Sequence, residues 1–272
     1  MKEEQILAAL ARNPQGIRNI PNPSHAMKLV ALSHKGTLLE YIKDPSQDLI
    51  DSALANDIKA IAFVLAPNQD LQLKAVRASW DNLRYIKNPT DLVIKEALSQ
   101  SGWAIQYVEA PSEDLQIMAV KASYESLQYI KNASDKVKLE ALKKSYLALR
   151  YIENPSLAMK SLAIKQNIQA MRLISSLSRE DGLALLRVSS RVEAYLPTSL
   201  GIGPDDILAI WKEKLEALDP DREYLRELAS DGRKRKLGDQ VFDLAVLAYQ
   251  YGSLRAKQIC MDTWLGNFIE LV

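Results

Sequence analysis

The chain has 272 residues, with 35 lysines and arginines against 34 aspartates and glutamates, so its formal net charge is +1. This balance excludes a uniformly basic nucleic-acid binder, although it leaves room for local basic patches. Hydrophobic residues make up 47% of the chain and charged residues 25%, which excludes a mainly disordered protein.

The N-terminus does not resemble a targeting signal. Its first apolar run ends at Arg12 and Asn13, which is too early for a signal peptide. No stretch reaches the roughly 18 consecutive apolar residues of a membrane-spanning helix, and the single cysteine, Cys260, cannot form an intramolecular disulfide. These features predict a cytoplasmic protein, of a cell or of a host if viral, without a membrane partner.

A repeat of 22 residues organises most of the chain. Prolines recur at this interval from Pro23 to Pro111, and again at Pro155 after one vacant slot. An alanine follows eight positions after every proline slot, at Ala31, Ala53, Ala75, Ala97, Ala119, Ala141 and Ala163. Seven clear units therefore cover residues 22–175, and units that fit the pattern loosely precede and follow them, as expected for the ends of an array.

The sequence pattern of each unit predicts two helices. The segment Asn88-Pro89-Thr90-Asp91 is typical of a helix start, in which Asn caps free N–H groups and Pro takes the first helical position. Where the Asn slot is Ala66 or Ala110, a Ser, Thr or Asn two residues later is the alternative cap. We expect a first helix of roughly 10 residues, then a break near Gly36 or Gly102, then a second, shorter helix.

Neither helix can bury its apolar face alone, so neighbouring units must stack. The unit has an Asn-Pro-Ser/Thr start, an Ala-Val/Leu middle and a Leu-x-Tyr-Ile end. In this it resembles the leucine-rich-variant and HEAT-like repeats, and also a group of short bacterial and viral helical repeats. The resemblance covers about residues 5–197 and implies a binding scaffold. The predicted fold is all-α: a right-handed α-solenoid of helix pairs over residues 1–197, with a C-terminal helical cap or small domain over 198–272.

The C-terminal segment predicts four helices, near residues 205–218, 220–231, 238–251 and 253–270. The only compact basic run falls between the second and third of them, and consists of Arg233, Lys234, Arg235 and Lys236. The run is either a solvated loop or a contact for nucleic acid, phosphate or a targeting receptor.

Two columns of polar residues become rows along the stacked units. The first lies two residues beyond the buried alanine and so faces solvent, and its cations are Arg77, Lys121, Lys143, Lys165 and Arg187. The second lies on the short helices, and its residues are Arg84, Gln106, Gln128, Arg150 and Arg172. The first row suits a phosphate backbone or an acidic protein surface, whereas the mixed signs beside the second favour protein recognition. An ordinary solvated helix surface explains both rows as well.

Aromatic residues form a further column, from Tyr41 to Tyr151. The column could stack nucleic-acid bases, but its strict spacing beside a buried isoleucine column favours the core, so a Tyr107→Ala change is expected to open a cavity. Trp103 and Tyr124 lie at the start of short helices and are predicted as half-exposed binding anchors. Packing against the neighbouring unit is the alternative for Trp103.

The sequence offers no catalytic set. His25 and His34 face different directions on one helix, no cysteine lies near them, and no glycine-rich phosphate loop is present. We therefore predict no catalytic, metal or cofactor-binding residues. The predicted function is a non-catalytic protein-binding scaffold, acting as an adaptor, inhibitor or assembly component. The alternative is a nucleic-acid-binding solenoid that uses the first basic row.

Overall fold

The computed structural model describes the backbone of residues 2–269 and the side chains of residues 2–266. Within this part of the chain the fold is all-α except for one two-stranded sheet. None of the helices between residues 2 and 269 combines the length and the apolarity needed to cross a lipid bilayer. The chain divides into two compact units, Met1–Val137 and Lys138–Val272. We call them the first and the second unit, and we call each stretch of 22 residues a repeat.

In the first unit, α-helices of 10 residues alternate with 3₁₀ helices of 6 residues. The α-helices are α1 (Glu3–Arg12), α2 (His25–His34), α3 (Gln47–Asn56), α4 (Gln69–Ala78), α5 (Asp91–Gln100), α6 (Glu113–Ala122) and the start of α7 (Asp135–Lys144). The 3₁₀ helices are Pro14–Asn19, Gly36–Tyr41, Ile58–Phe63, Trp80–Tyr85, Gly102–Tyr107 and Tyr124–Tyr129. The predicted helix pair is confirmed, and its short member is a 3₁₀ helix.

Neighbouring repeats of the first unit pack through both kinds of helix. Helix α1 packs on α2, α2 on α3, α4 on α5 and α5 on α6, and the 3₁₀ helices from Gly36–Tyr41 to Tyr124–Tyr129 pack in succession. Helices α3 and α6 also pack on the 3₁₀ helix of the repeat before them. The alanine column is fully buried, as predicted. Glycine allows an especially close approach at Gly102, where an added Cβ would lie 2.3 Å from the carbonyl oxygen of Ala119 in α6.

The α-helices begin after the proline rather than at it. The N-cap residues of the complete helices α2 to α6 are Ser24, Ser46, Asn68, Thr90 and Ser112. The side chain of Asn68, for example, accepts a hydrogen bond from the backbone N–H of Leu71 at 2.9 Å. The prediction that Asn88 is the cap is therefore wrong, since Thr90 takes that place, whereas the alternative cap predicted two residues after Ala66 and Ala110 is confirmed at Asn68 and Ser112. In the slot of Asn88, Asn22 and Asn132 have φ angles of 52° and 54°, a left-handed conformation that asparagine tolerates better than most residues.

Side-chain amides at the last position of two α-helices tie successive repeats together. The amide of Asn56 accepts a hydrogen bond from the Gly36 N–H and donates one to the Ser33 carbonyl, both at 2.8 Å. Gln100 makes a similar pair of bonds to the repeat before α5: it accepts one from the Trp80 N–H at 3.1 Å and donates one to the Val76 carbonyl at 2.8 Å. These amides satisfy backbone groups that are left open between an α-helix and its 3₁₀ helix.

The second unit continues the alternation and then changes character. It contains the rest of α7, the 3₁₀ helix Tyr146–Tyr151, α8 (Leu157–Gln166), the 3₁₀ helix Ile168–Leu173, α9 (Arg179–Leu186) and the 3₁₀ helices Ser190–Tyr195 and Thr198–Leu200. Beyond them lie α10 (Pro204–Glu216), α11 (Arg222–Ser230), β1 (Lys234–Leu237), β2 (Gln240–Asp243), α12 (Leu244–Tyr251) and α13 (Leu254–Ile269). The predicted end of the repeats at residue 197 stays a prediction.

Three of the four C-terminal helices are confirmed, and the predicted helix near 238–251 is wrong in its first part. Residues 240–243 form a strand instead, which pairs antiparallel with β1 and places Leu237 opposite Gln240. Gly238, with a φ of 58°, allows the tight turn between the strands. Phe242, an aromatic residue that favours strands, packs edge-on against the buried Trp211 at 6.4 Å between ring centres.

Candidate interaction surface

The aromatic column lies on the surface of the first unit, not in its core. Tyr41 and Phe63 are 46% and 37% exposed, and the later tyrosines are half-buried, so the prediction of a core column is wrong. A 3₁₀ helix has three residues per turn, so Leu83 and Ile86 share the buried side and Tyr85 is displaced from it. We call the following residues the aromatic layer: Tyr41, Phe63, Trp80, Tyr85, Trp103, Tyr107 and Tyr129.

The centre of the aromatic layer is a cluster of four side chains. The Trp80 ring stacks on the ring of Tyr107 in the next repeat, with 6.3 Å between ring centres and 25° between ring planes. The Tyr107 hydroxyl donates a hydrogen bond to Asp81 at 2.8 Å and accepts one from Arg84 at 2.8 Å. Arg84 also forms an ion pair with Asp81. The cluster therefore holds an arginine, an acid and two aromatic rings in fixed positions.

The pKa shifts of the cluster follow from these contacts. Burial and then the hydrogen bond to Asp81 raise the pKa of Tyr107 above its ordinary value. Burial alone would raise the pKa of Asp81, but the hydrogen bonds from Tyr107 and Arg84 outweigh it and leave that pKa lowered. Asp81 is therefore ionised and Tyr107 neutral at physiological pH.

Trp103 fits both interpretations that the sequence allows. Its side chain is exposed, and its ring also packs on Tyr129 of the next repeat, with 5.8 Å between ring centres and 60° between ring planes. Tyr124 is half-buried. The structure thus places both predicted anchors on the 3₁₀ helices and adds Tyr129, which the sequence assigned to the core.

Arginines stack on tyrosines of the following 22-residue repeat. In the compact unit Met1–Val137, the guanidinium of Arg18 lies 4.1 Å from the ring centre of Tyr41. In the compact unit Lys138–Val272, the guanidinium of Arg172 lies 6.0 Å from the ring centre of Tyr195. Both pairs, like Arg84 and Tyr107, are 23 residues apart. Arg150 is exposed, but residue 173, which lies 23 positions after it, is a leucine and not a tyrosine, so the sequence does not provide this stack there. An Arg-to-Tyr spacing of one repeat plus one residue is the sequence signal of this contact.

The cations of the first row are all exposed, as predicted, but several of them carry an acidic partner. The ion pairs are Arg77–Glu96 at 3.2 Å, Lys143–Glu140 at 2.5 Å and Arg187–Glu213 at 3.0 Å. Lys121 and Lys165 are also on the surface. Because a nearby carboxylate offsets the field of a cation, these pairs favour a solvated helix surface over a phosphate-binding row.

Three residues of the basic run, Lys234, Arg235 and Lys236, lie on β1 of a β-hairpin and not on a loop, and Arg233 directly precedes that strand. Arg235 is largely buried and pairs with Glu193 at 3.1 Å and with a second carboxylate at 2.9 Å. Burial raises the pKa of Glu193, and Arg235 opposes that rise. Arg233 pairs with the last residue of β2 at 3.2 Å, while Lys234 and Lys236 are exposed. The two arginines therefore hold the hairpin in place, and the two lysines remain on its surface.

The fold and this surface define an all-α helical repeat protein. In the part of the chain that the structure describes, no group of three or more His, Cys, Asp or Glu side chains could hold a metal ion. The chain matches no protein-family model, no curated protein and no solved structure. The resemblance to leucine-rich-variant and HEAT-like repeats therefore depends on the 22-residue unit alone.

Proposed function

We propose that the protein is a non-catalytic protein-binding scaffold whose contact surface is the aromatic layer of the first unit. The observation that carries the proposal is the exposure of this layer: its seven aromatic residues stand on successive 3₁₀ helices, and none is fully buried. Trp, Tyr and Arg are the residues most enriched at the energetic centres of protein interfaces. Arg18 and Arg84 lie within the same layer.

Preorganised side chains support this proposal. The ring stack of Trp80 on Tyr107, and the bonds from Arg84 to Asp81 and Tyr107, restrict rotamers before any partner arrives. Binding through such side chains costs less conformational entropy than binding through mobile ones. The layer therefore offers large apolar contacts with little ordering cost.

A pocket beside the layer offers a place for a partner side chain. Its volume is about 250 Å³, and its lining includes Leu65, Pro67, Tyr85 and Lys87. Leu65 is 98% exposed and lies two residues after Phe63 of the aromatic layer. The lining mixes apolar side chains with Gln72, Lys87 and Asn88, which suits an apolar side chain that is followed or preceded by an acid.

The charges of this surface favour a protein over a nucleic acid. Asp81 stands in the centre of the aromatic layer, and its partner Arg84 is already engaged by it. A phosphate backbone would meet an acid at the place where its affinity needs free cations. Mixed charge around aromatic anchors is typical of protein recognition.

The test compares the wild-type chain with Trp103→Ala and with a matched control, Leu92→Ala. Leu92 is an exposed apolar residue on α5, outside the aromatic layer. Partners recovered with the wild-type protein from its native cells should bind Trp103→Ala at least about tenfold more weakly, which is the scale of one hot-spot residue. Leu92→Ala should bind them as the wild type does.

Two results would contradict this function. One is equal affinity of the wild type, Trp103→Ala and a Trp80→Ala/Trp103→Ala double variant for the recovered partner. The other is recovery of nucleic acid, bound with an affinity that falls steeply between about 50 and 200 mM salt. The second result would restore the basic row as the contact surface.

A further inference from the structure

An apolar stripe runs along the outer face of α13. Leu254, Met261 and Leu265 are 87%, 53% and 57% exposed. At about 100° per residue, the spacings of seven and four residues place all three within about 40° of each other on the helix. Ala256 and Cys260 are buried on the opposite face, where α13 packs on α11 and α12. Helix α13 therefore carries three apolar side chains, with the exposed Gln258 beside them, on the side that faces away from its own unit.

The stripe continues onto α12. Tyr249 of that helix is exposed, and the ammonium group of Lys257 on α13 lies 5.4 Å from its ring centre. Large exposed apolar side chains that lie close together on one helix face are typical of an interaction site.

We infer that this stripe binds a second copy of the chain, with the two α13 helices antiparallel about a two-fold axis. The stripe is complementary to itself in this arrangement. The alignment that sets Leu254 opposite Leu265 of the second copy also sets Gln258 opposite Met261 of that copy. Both ends of the contact are then occupied by leucine pairs, as an isologous interface requires.

The charges beside the stripe identify the second copy as the occupant. Arg255 and Asp262 lie on one flank of α13, at about 100° and 80° from Leu254. A two-fold axis brings equal flanks of antiparallel helices together, so Arg255 meets Asp262 of the second copy within about 3 Å along the helix axis. The symmetry repeats the contact, and two ion pairs border the apolar centre.

Arg255 is able to make this contact. In the single chain it lies 3.1 Å from Asp219, and the side chains of both residues are mostly exposed. An exposed ion pair of this kind contributes little to stability, so Arg255 can exchange Asp219 for Asp262 of the second copy at small cost.

Sedimentation equilibrium of the full chain, from about 1 to about 100 µM, tests the inference. The wild type should be a reversible dimer. Met261→Glu should raise the dissociation constant by at least about tenfold, because it buries a charge at the centre of the contact. Leu92→Glu is the matched control: Leu92 is an exposed leucine of the first unit, outside the aromatic layer, and its replacement should leave the dissociation constant unchanged.

A charge swap adds a readout that simple loss of folding cannot imitate. Arg255→Asp alone and Asp262→Arg alone should each weaken the dimer, because each sets like charges against one another. The double variant Arg255→Asp/Asp262→Arg should restore it, since each copy then carries the reversed pair. A wild type that stays monomeric to about 100 µM, or a dimer that Met261→Glu leaves intact, would overturn the inference. So would a double variant that is no stronger than its single parents.

Discussion

An Asp181→Asn substitution should lower the free energy of unfolding of the second unit by about 2–4 kcal/mol. The carboxylate of Asp181, in α9, lies 2.6 Å from the ammonium group of Lys160 in α8. The Lys160 side chain is only 7% exposed, and it also donates a hydrogen bond to the Ser176 carbonyl at 3.2 Å. Asparagine keeps the shape of the aspartate but removes the charge that balances the buried lysine.

The magnitude follows from what remains after the change. Removing one partner of a fully buried ion pair costs about 3–5 kcal/mol, because the other charge is left in a poorly solvated site. Asp181 is 26% exposed, so water reaches part of this pair, and the asparagine oxygen still accepts a weaker hydrogen bond from Lys160. Both effects reduce the expected loss.

The converse substitution should cost much less. Lys160→Met removes the charge that needs a partner and keeps an unbranched apolar chain of similar length in the same space. The carboxylate of Asp181 is then free to turn toward water. We expect this variant, and the Lys160→Met/Asp181→Asn double variant, to lie within about 1 kcal/mol of the wild type.

Urea unfolding followed by circular dichroism would measure the three variants, and hydrogen exchange of amides in α8 and α9 would locate the loss. An Asp181→Asn variant as stable as the wild type would refute the reasoning. A Lys160→Met variant that loses as much as Asp181→Asn would refute it as well, because the cost would then come from lost packing and not from an unpaired charge.

Four further predictions concern packing and titration. Gly102→Ala should lower the melting temperature, at a cost of about 1–3 kcal/mol of stability, because the added Cβ would collide with the Ala119 carbonyl. Gly203→Ala is the control, since no atom lies within 4 Å of the added Cβ and no collision is expected. Tyr107→Ala should cost about 1–2 kcal/mol, less than the removal of a core residue, because the ring is half-exposed. The raised pKa of Tyr107 means that its protonated form stabilises the fold below about pH 10 and that this contribution is lost as the pH rises further, so Tyr107→Phe should flatten the alkaline loss of stability. Burial raises the pKa of the Cys260 thiol to about 11, and a disulfide reagent at pH 8 should react with it only after unfolding; rapid reaction of the native protein would contradict the burial.

The sequence alone was sufficient for the fold class and for the register of the repeat. A stacked array makes the same contacts in every repeat, so the same position must stay small or apolar each time, as the buried column from Ala31 to Ala163 shows. The length of the first helix followed from the same regularity. Surface exposure of the row from Arg77 to Arg187 followed from helical periodicity, which relates two positions of one helix without reference to its neighbours.

Contacts between neighbouring repeats were decided by the tertiary structure. Arg77 and Glu96 are 19 residues apart, and they meet because stacked helices bring them to the same height. The tyrosine column reached the surface because its helices are 3₁₀ turns, whose period differs from that of the expected α-helices.

The basic run shows the same division within the second unit. Its composition indicated only charge, whereas pairing of β1 with β2 and burial of Arg235 against Glu193 gave two of its cations structural roles. A periodic pattern reports what each residue shares with its equivalents in other repeats. Partners from other elements depend on packing distances, and those distances exist only once the elements are assembled.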